Sequence, residues 1–281
     1  MKVDFFENSP FPVWWISINV IVFGLIGLLA ESLTLTLVLI AFFLISIVFS
    51  ISTLGEKITR YFLRMKPIKT EKDKAILLPA YNAVYESVKE KYPLIADDIE
   101  LYIEENGNIN ACALGRRTIC ITTGALNALN EDEILGILCH EFGHHINSDT
   151  FVLLFLNCGG GILSLLLLCI SIINALLNGI IRAMYNKYGN ESKLIIYGLR
   201  FIKWLANLIT KPIEWILMAY SRRQEYKADS VAYDCGYGNE LIEGLYTISN
   251  FSSHEPIGLM EKLKSSHPDL KDRISKLENQ L

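Results

Sequence analysis

Charge is scarce in this chain. Charged residues make up 20% of the 281 positions, hydrophobic residues 51%, and mean hydropathy is +0.31. That balance is too apolar for an enzyme solvated wholly by water and points to a chain partly solvated by lipid. The net charge is −4, with no basic domain and no interleaving of basic and aromatic residues, which argues against a nucleic-acid partner. The six cysteines, Cys112, Cys120, Cys139, Cys158, Cys169 and Cys235, include no C-x-x-C pair. They read as buried or membrane-facing thiols in a reducing compartment, not as a disulfide framework. No Gly-Lys-Ser/Thr follows Gly159-Gly160-Gly161, so that run is no phosphate loop, and helix packing or a kink is the better reading. No small-residue cleavage site follows the first apolar run, and Asp4 and Glu7 precede it, so it is not read as a signal peptide.

Long apolar runs, by contrast, are plentiful. Residues 13–29 are almost wholly apolar, Glu31-Ser32 interrupts, and residues 33–51 are apolar again. Each run is close to the ~20 residues that cross a bilayer. Trp14 and Trp15 sit where interfacial anchors belong. The pair reads as a transmembrane hairpin. Residues 52–74 then carry Lys57, Arg60, Arg64, Lys66, Lys69, Lys72 and Lys74 against Glu56, Glu71 and Asp73. The positive-inside tendency puts such a segment in the cytoplasm. A third apolar stretch covers 151–181. A fourth, 194–220, holds Arg200, Lys203, Lys211 and Glu214 with Trp204 and Trp215, and suits either a crossing or an interfacial helix. The expected organisation is a membrane hairpin (1–51), a first catalytic part (52–150), two further membrane-associated helices (151–220) and a second catalytic part (221–281). Between the membrane segments the pattern predicts a short helix over 82–91, ended by Pro93. It also predicts strands at Glu100–Glu104, 109–114 and Thr118–Thr122, forming a small, mostly antiparallel sheet. The fold class expected is α+β, mainly α.

The chemistry lies in His140-Glu141-Phe142-Gly143-His144, an H-E-x-x-H pattern inside a predicted helix that starts with a capping-box-like Asn130 and Glu133. Histidines four apart share one helix face and can hold one zinc ion, with Glu141 placed to reach a water on it. A catalytic zinc needs a third protein ligand. Glu225 and Asp229 also share a helix face, and a Glu-x-x-x-Asp helix can bind the metal through the glutamate while the aspartate hydrogen-bonds a ligand histidine. Standing alone, that pair would be an ordinary charged helix face. The two halves can meet only if the chain between them crosses the membrane an even number of times, which the two apolar segments over 151–220 allow. His145 is turned about 100° from His144 on the helix and is read as a non-ligand.

The order of these features resembles the HtpX-type membrane zinc metalloproteases, relatives of the CAAX prenyl endopeptidases. The resemblance rests on the hydrophobic hairpin, Asn110-Ala111-Cys112-Ala113-Leu114-Gly115, the H-E-x-x-H, two further apolar segments, Ser221-Arg222-x-x-Glu225-x-x-x-Asp229-x-x-Ala232, and Ser266-His267-Pro268 before Arg273-Ile274. It covers nearly the whole chain. It implies a zincin-like catalytic domain with one zinc per chain, ligated by His140, His144 and Glu225. Glu141 would be the general base and Asp229 the partner of a ligand histidine, His140. Asn110, Ala111 and Cys112 would lie in an edge strand that takes an extended peptide by β-augmentation. The implied partners are unfolded or membrane polypeptides and the lipid bilayer. The implied setting is a multi-pass cell-membrane protein with its site facing the cytoplasm, in quality control of misfolded membrane proteins. His267 reads either as an oxyanion donor or as a tether of the C-terminal helix, and Arg273 as an oxyanion contact or an ion-pair partner that docks it.

Three other readings compete. A CAAX-type processing peptidase encloses its site with more spans than this chain offers. A non-catalytic membrane scaffold or transporter subunit would carry a purely structural metal site. An intramembrane site-2-type protease would bury the histidines in an apolar span, whereas Glu131, Asp132, Glu133, Asn147, Ser148 and Asp149 flank them here.

Overall fold

The computed structural model describes residues 11–50, 52–148, 150, 161–188, 193–252 and 270–280. Its elements in chain order are α1 (Phe11–Leu29), α2 (Leu33–Ser50), α3 (Thr53–Phe62), β1 (Met65–Pro67), α4 (Glu71–Lys91), β2 (Glu100–Glu104), β3 (Ala111–Leu114), β4 (Thr118–Thr122), α5 (Thr123–Ala128), α6 (Glu131–Ile146), α7 (Gly161–Tyr188), α8 (Lys193–Asp234), α9 (Gly238–Ser252) and α10 (Leu270–Glu278). They fall into two compact units. One comprises Met1–Pro12, Ile47–Gly159 and Ser221–Leu281; the other comprises Val13–Ser46 and Gly160–Tyr220.

In the second unit, α1 and α2 form a helical hairpin. Glu31 takes φ +51 in the short turn, and the Ser32 hydroxyl accepts from the Leu35 N–H at 3.2 Å. A Cβ at Gly27 would fall 1.5 Å from Thr36 Oγ1, so only glycine permits this approach of the two helices. Phe23 and Phe43 close the gap edge to face at 5.4 Å. Among the described residues, α2 is the one helix long and apolar enough to cross a bilayer; the apolar stretch of α1, Ile16–Leu29, is shorter. Length and hydropathy therefore support one crossing directly, where four membrane-associated segments were expected.

The first unit is built on a four-stranded sheet of order β1-β2-β4-β3. It is mixed: two of its three pairings are antiparallel, in keeping with a mostly antiparallel sheet, and one is parallel. β2 runs parallel to β4 (Leu101 opposite Ile119), while β1–β2 and β3–β4 are antiparallel. The reason is that β3–β4 is a local hairpin, whereas β2 is inserted beside β4 and not beside β3. β1, which the sequence pattern did not predict, supplies the far edge. β3 is the other edge strand.

One face of the sheet meets α4 and α6. Leu77, Val84 and Val88 give α4 a buried stripe, and that stripe draws helix back to Glu71, well before the start expected from 82–91, with Pro79 inside it. Asn130 accepts from the Glu133 N–H while the Glu133 carboxylate accepts from the Asn130 N–H, a complete capping box for α6. Helix α8 is continuous from Lys193 to Asp234 and so runs through the boundary expected at 220/221. It ends where Gly236 takes φ +88 and the Tyr237 N–H bonds back to the Ala232 carbonyl, a glycine-dependent terminator. Helix α9 packs against α6 at Gly136, where a Cβ would lie 2.2 Å from the Leu241 nitrogen. The core that results joins Ile119 and Ile121 of β4 to Leu138 and Phe142 of α6 and to Leu241 and Leu245 of α9, all buried.

Candidate metal centre

Helix α6 carries His140, Glu141 and His144, and the C-terminal part of α8 carries Glu225 and Asp229; all five side chains are buried. The two helices cross where glycine removes the obstacle. A Cβ on Gly143 would lie 2.8 Å from the Ala228 Cα and 2.9 Å from its carbonyl oxygen. Gly143 thus brings the α8 backbone against α6, one residue from His144 and between Glu225 and Asp229 in the chain.

The consequence is a tight donor triangle. His140 Nε2 and His144 Nε2 are 3.2 Å apart. Glu225 Oε2 lies 3.4 Å from His140 Nε2, and Oε1 lies 3.7 Å from His144 Nε2. Ligands about 2.0–2.2 Å from one tetrahedral zinc sit roughly 3.3–3.6 Å from each other. The separations of 3.2, 3.4 and 3.7 Å, the last two measured from different oxygens of Glu225, lie within about 0.1 Å of that range, so the residues fit the ion in donor type and nearly in separation. These three residues are the group among the described residues that could hold a metal.

Asp229 Oδ1 lies 3.0 Å from His140 Nδ1. With Nδ1–H donating there, the Nε2 lone pair faces His144 and Glu225. Arg273 reaches the same carboxylates from α10, and its side chain is only 2% exposed. Its Nε and Nη2 donate to Asp229 at 2.9 and 2.6 Å, and its Nη1 donates to Glu225 Oε2 at 2.9 Å. Of its two sequence-level readings, the geometry here matches the ion pair that docks the C-terminal helix. His267 lies outside the described residues.

The electrostatics suit a divalent cation. Glu141, Glu225 and Asp229 are three buried carboxylates facing one buried guanidinium. With neutral imidazoles, two negative charges remain to be offset. His140 feels this: burial and Arg273 alone would lower it, but the carboxylates of Asp229 and Glu225 outweigh them and bring it up to about 9. For Asp229, burial opposes ionisation, yet Arg273 and His140 prevail and take it down to about 2. His145 behaves otherwise. Burial pushes it down to about 4, and its Nε2–H donates to the Thr118 carbonyl at 3.0 Å, tying α6 to β4.

The model of peptidase family M48 matches residues 84–281, which takes in every residue of this site. The chain belongs to peptidase family M48. It is a protease by family, and HtpX proteases are among its relatives. The Protease HtpX homolog of Thermoanaerobacter pseudethanolicus is 28% identical over 253 residues, 75% of this chain and 80% of that protein. The Bacillus licheniformis homolog is 27% identical over 196 residues, covering 64% of this chain and 62% of its own length. Ste24p of S. mikatae, a solved structure, aligns over 96% of this chain and 64% of its own at 19% identity and a TM-score of 0.49.

The candidate substrate strand sits beside this centre. β3 is an edge strand whose Ala111 and Cys112 pair with Ile121 and Cys120 of β4, and among the described residues no strand neighbours its outer side. Asn110 lies just before it and exchanges bonds with Thr122.

Sequence reasoning missed one structural residue, Glu56. Counted there only as an acid in a basic segment, it is buried, and its carboxylate accepts from the N–H groups of Arg116 and Arg117 and from the Thr118 hydroxyl at 3.0, 3.2 and 2.6 Å. No local pattern marks a single acid as buried; only the returning β3–β4 turn does.

Proposed function

We propose that this M48 protease is a membrane-anchored zinc endopeptidase whose metal is held by His140, His144 and Glu225. The observation that carries the reading is the approach of those three side chains, drawn from helices far apart in sequence, to 3.2 Å between the imidazoles and to 3.4 and 3.7 Å between each imidazole and its nearer Glu225 oxygen. A bound zinc supplies a water acidified to near neutrality and a Lewis acid for the scissile carbonyl. The protein's own residues do the rest. An extended peptide adds to the outer edge of β3, so main-chain hydrogen bonds hold it with little demand on sequence. Glu141, beside His140 on α6, takes the proton of the attacking water and delivers it to the departing amine. Asp229 holds His140 in the tautomer that leaves Nε2 free to ligate, and Arg273 holds both helper carboxylates in register. The anchor is α2, with the α1–α2 hairpin and the apolar segments over 151–220 as further membrane contacts. The basic residues after α2 favour a cytoplasmic site. Unfolded or membrane polypeptides, met in quality control, are the substrates this arrangement suits.

Replacing Glu141 by glutamine tests the reading directly. Purified Glu141→Gln protein is expected to keep one zinc per chain while cleavage of an unfolded polypeptide falls by about 10²–10⁴-fold. Undiminished cleavage would refute the assignment. A scaffold with a structural metal predicts zinc in both proteins and cleavage in neither.

A further inference from the structure

Helix α3 begins two residues after the last turn of α2, capped by the Ser52 hydroxyl on the Gly55 N–H at 3.0 Å. Its two faces differ sharply. Leu54, Ile58, Tyr61 and Phe62 fall within about 100° of one another around the axis and are 57%, 37%, 80% and 77% exposed. The opposite side is buried, with Glu56 holding the β3–β4 turn, and Gly55, next to Phe62 around the axis, packs on the Phe49 carbonyl. Lys57 is exposed on the flank of the apolar face, and Arg64, just past the end of the helix with φ +57, is exposed as well. Glu56 is the one acid in the helix and points inward, so the charge α3 shows outward is basic.

We propose that α3 is an interfacial helix that lies on the bilayer α2 enters, with Leu54, Ile58, Tyr61 and Phe62 at the acyl boundary and Lys57 and Arg64 among anionic headgroups. Two independent features commit the surface to lipid. The chain reaches α3 directly from the one described helix able to cross a membrane. The aromatic, aliphatic and basic composition of the exposed face is also that of a membrane-surface helix. The structural consequence lies on the other face. Glu56 fastens α3 to the turn at Gly115, whose φ is +59 and where a Cβ would lie 2.5 Å from the Glu56 carboxylate. Arg60 adds a bond to the Thr118 hydroxyl at 2.9 Å and rests over the Tyr102 ring at 4.6 Å. That turn joins the candidate peptide-binding edge β3 to β4. A helix held at the membrane surface is thereby fastened to the end of that edge strand.

This inference rests on the membrane-anchored reading, and its test separates the two. Full-length protein is reconstituted in phosphatidylcholine bilayers containing 30% phosphatidylglycerol. A small fluorescent amino acid is placed in turn at Phe62, at Phe42 in mid-α2 and at Glu86 on exposed α4. Quenching is then measured with brominated lipids and with aqueous iodide. Position 62 is expected to be quenched at least threefold more than position 86 by lipids brominated near the headgroup, and position 42 most by lipids brominated deep in the chain. Lipid quenching at 42 with only the level of 86 at 62 overturns the proposal and leaves the anchor standing. Shielding of 62 from both quenchers means that a protein surface or a second copy covers α3, and also overturns it. No lipid quenching at 42 removes the anchor and the proposal together. Lys57→Glu with Arg64→Glu is expected to lower lipid quenching at 62 at least twofold at unchanged helix content, and an unaltered value overturns the headgroup contact.

Discussion

Gly143→Ala separates what the helix crossing does for stability from what it does for the metal. Alanine improves helix propensity by about 1 kcal/mol over glycine. Its methyl, however, would sit 2.8 Å from the Ala228 Cα, 2.9 Å from its carbonyl oxygen and 3.1 Å from its Cβ. Carbon atoms rest about 3.5–4.0 Å apart, so α8 must recede from α6 by roughly 0.7–1.2 Å. Overpacking of this kind costs about 1–3 kcal/mol. Set against the propensity gain, the metal-free protein loses between about 0 and 2 kcal/mol. The donor triangle fares worse, because ligand distances tolerate only about ±0.2 Å. Glu225 and Asp229 ride on the segment that moves, one on each side of Ala228. Zinc affinity is expected to fall by at least the 10–100-fold seen when a ligand's support is lost. The assay is a chelator-competition titration of zinc, run beside denaturant unfolding of the metal-free protein. Native zinc affinity in a fully loaded, normally folded Gly143→Ala protein would show that the crossing has slack, and the argument from the glycine would fail.

Further outcomes follow from the same geometry. Arg273→Gln leaves Asp229 and Glu225 buried without their guanidinium and is expected to cost about 3–5 kcal/mol in metal-free unfolding; Arg273→Lys, lacking the planar fork, should recover little of it. The loss should be smaller with zinc loaded, since the ion offsets the same carboxylates, and an equal loss in both states would contradict that. Asp229→Asn keeps the side-chain shape but not the charge beside His140, and zinc affinity should drop about 10–100-fold. Chelation of the native protein should lower stability, and zinc at a hundred times its dissociation constant should restore about 2.7 kcal/mol; a melting curve indifferent to zinc would deny the site a resident metal.

How much of this was legible beforehand depends on the range over which each feature is specified. The α6 capping box, β4 and the shared face of His140 and His144 are local, because spacing on one helix or strand fixes them. The sheet's mixed character was not, because it depends on β2 choosing β4 as its neighbour, and no pattern within β2 records that choice. The domain boundary expected at 220/221 is no break in the helix, since no glycine or proline interrupts the chain from Ile213 to Cys235. The amphipathic pattern of α3, by contrast, is local, carried by Leu54, Ile58, Tyr61 and Phe62 at helical spacing within a basic segment.

The sequence by itself determined the chemistry on offer: two imidazoles and a carboxylate at helical spacing, a pair of carboxylates on a later helix, and apolar stretches suited to lipid. Tertiary structure decided that these belong to one site. It did so through Gly143, which lets the α8 backbone reach α6, and through Arg273, which arrives from the last helix to hold both carboxylates. The physical reason is range. Helical periodicity acts over a few residues, whereas a donor triangle about 3.5 Å on a side needs two helices to cross at one small residue, and only the packed core sets where they cross.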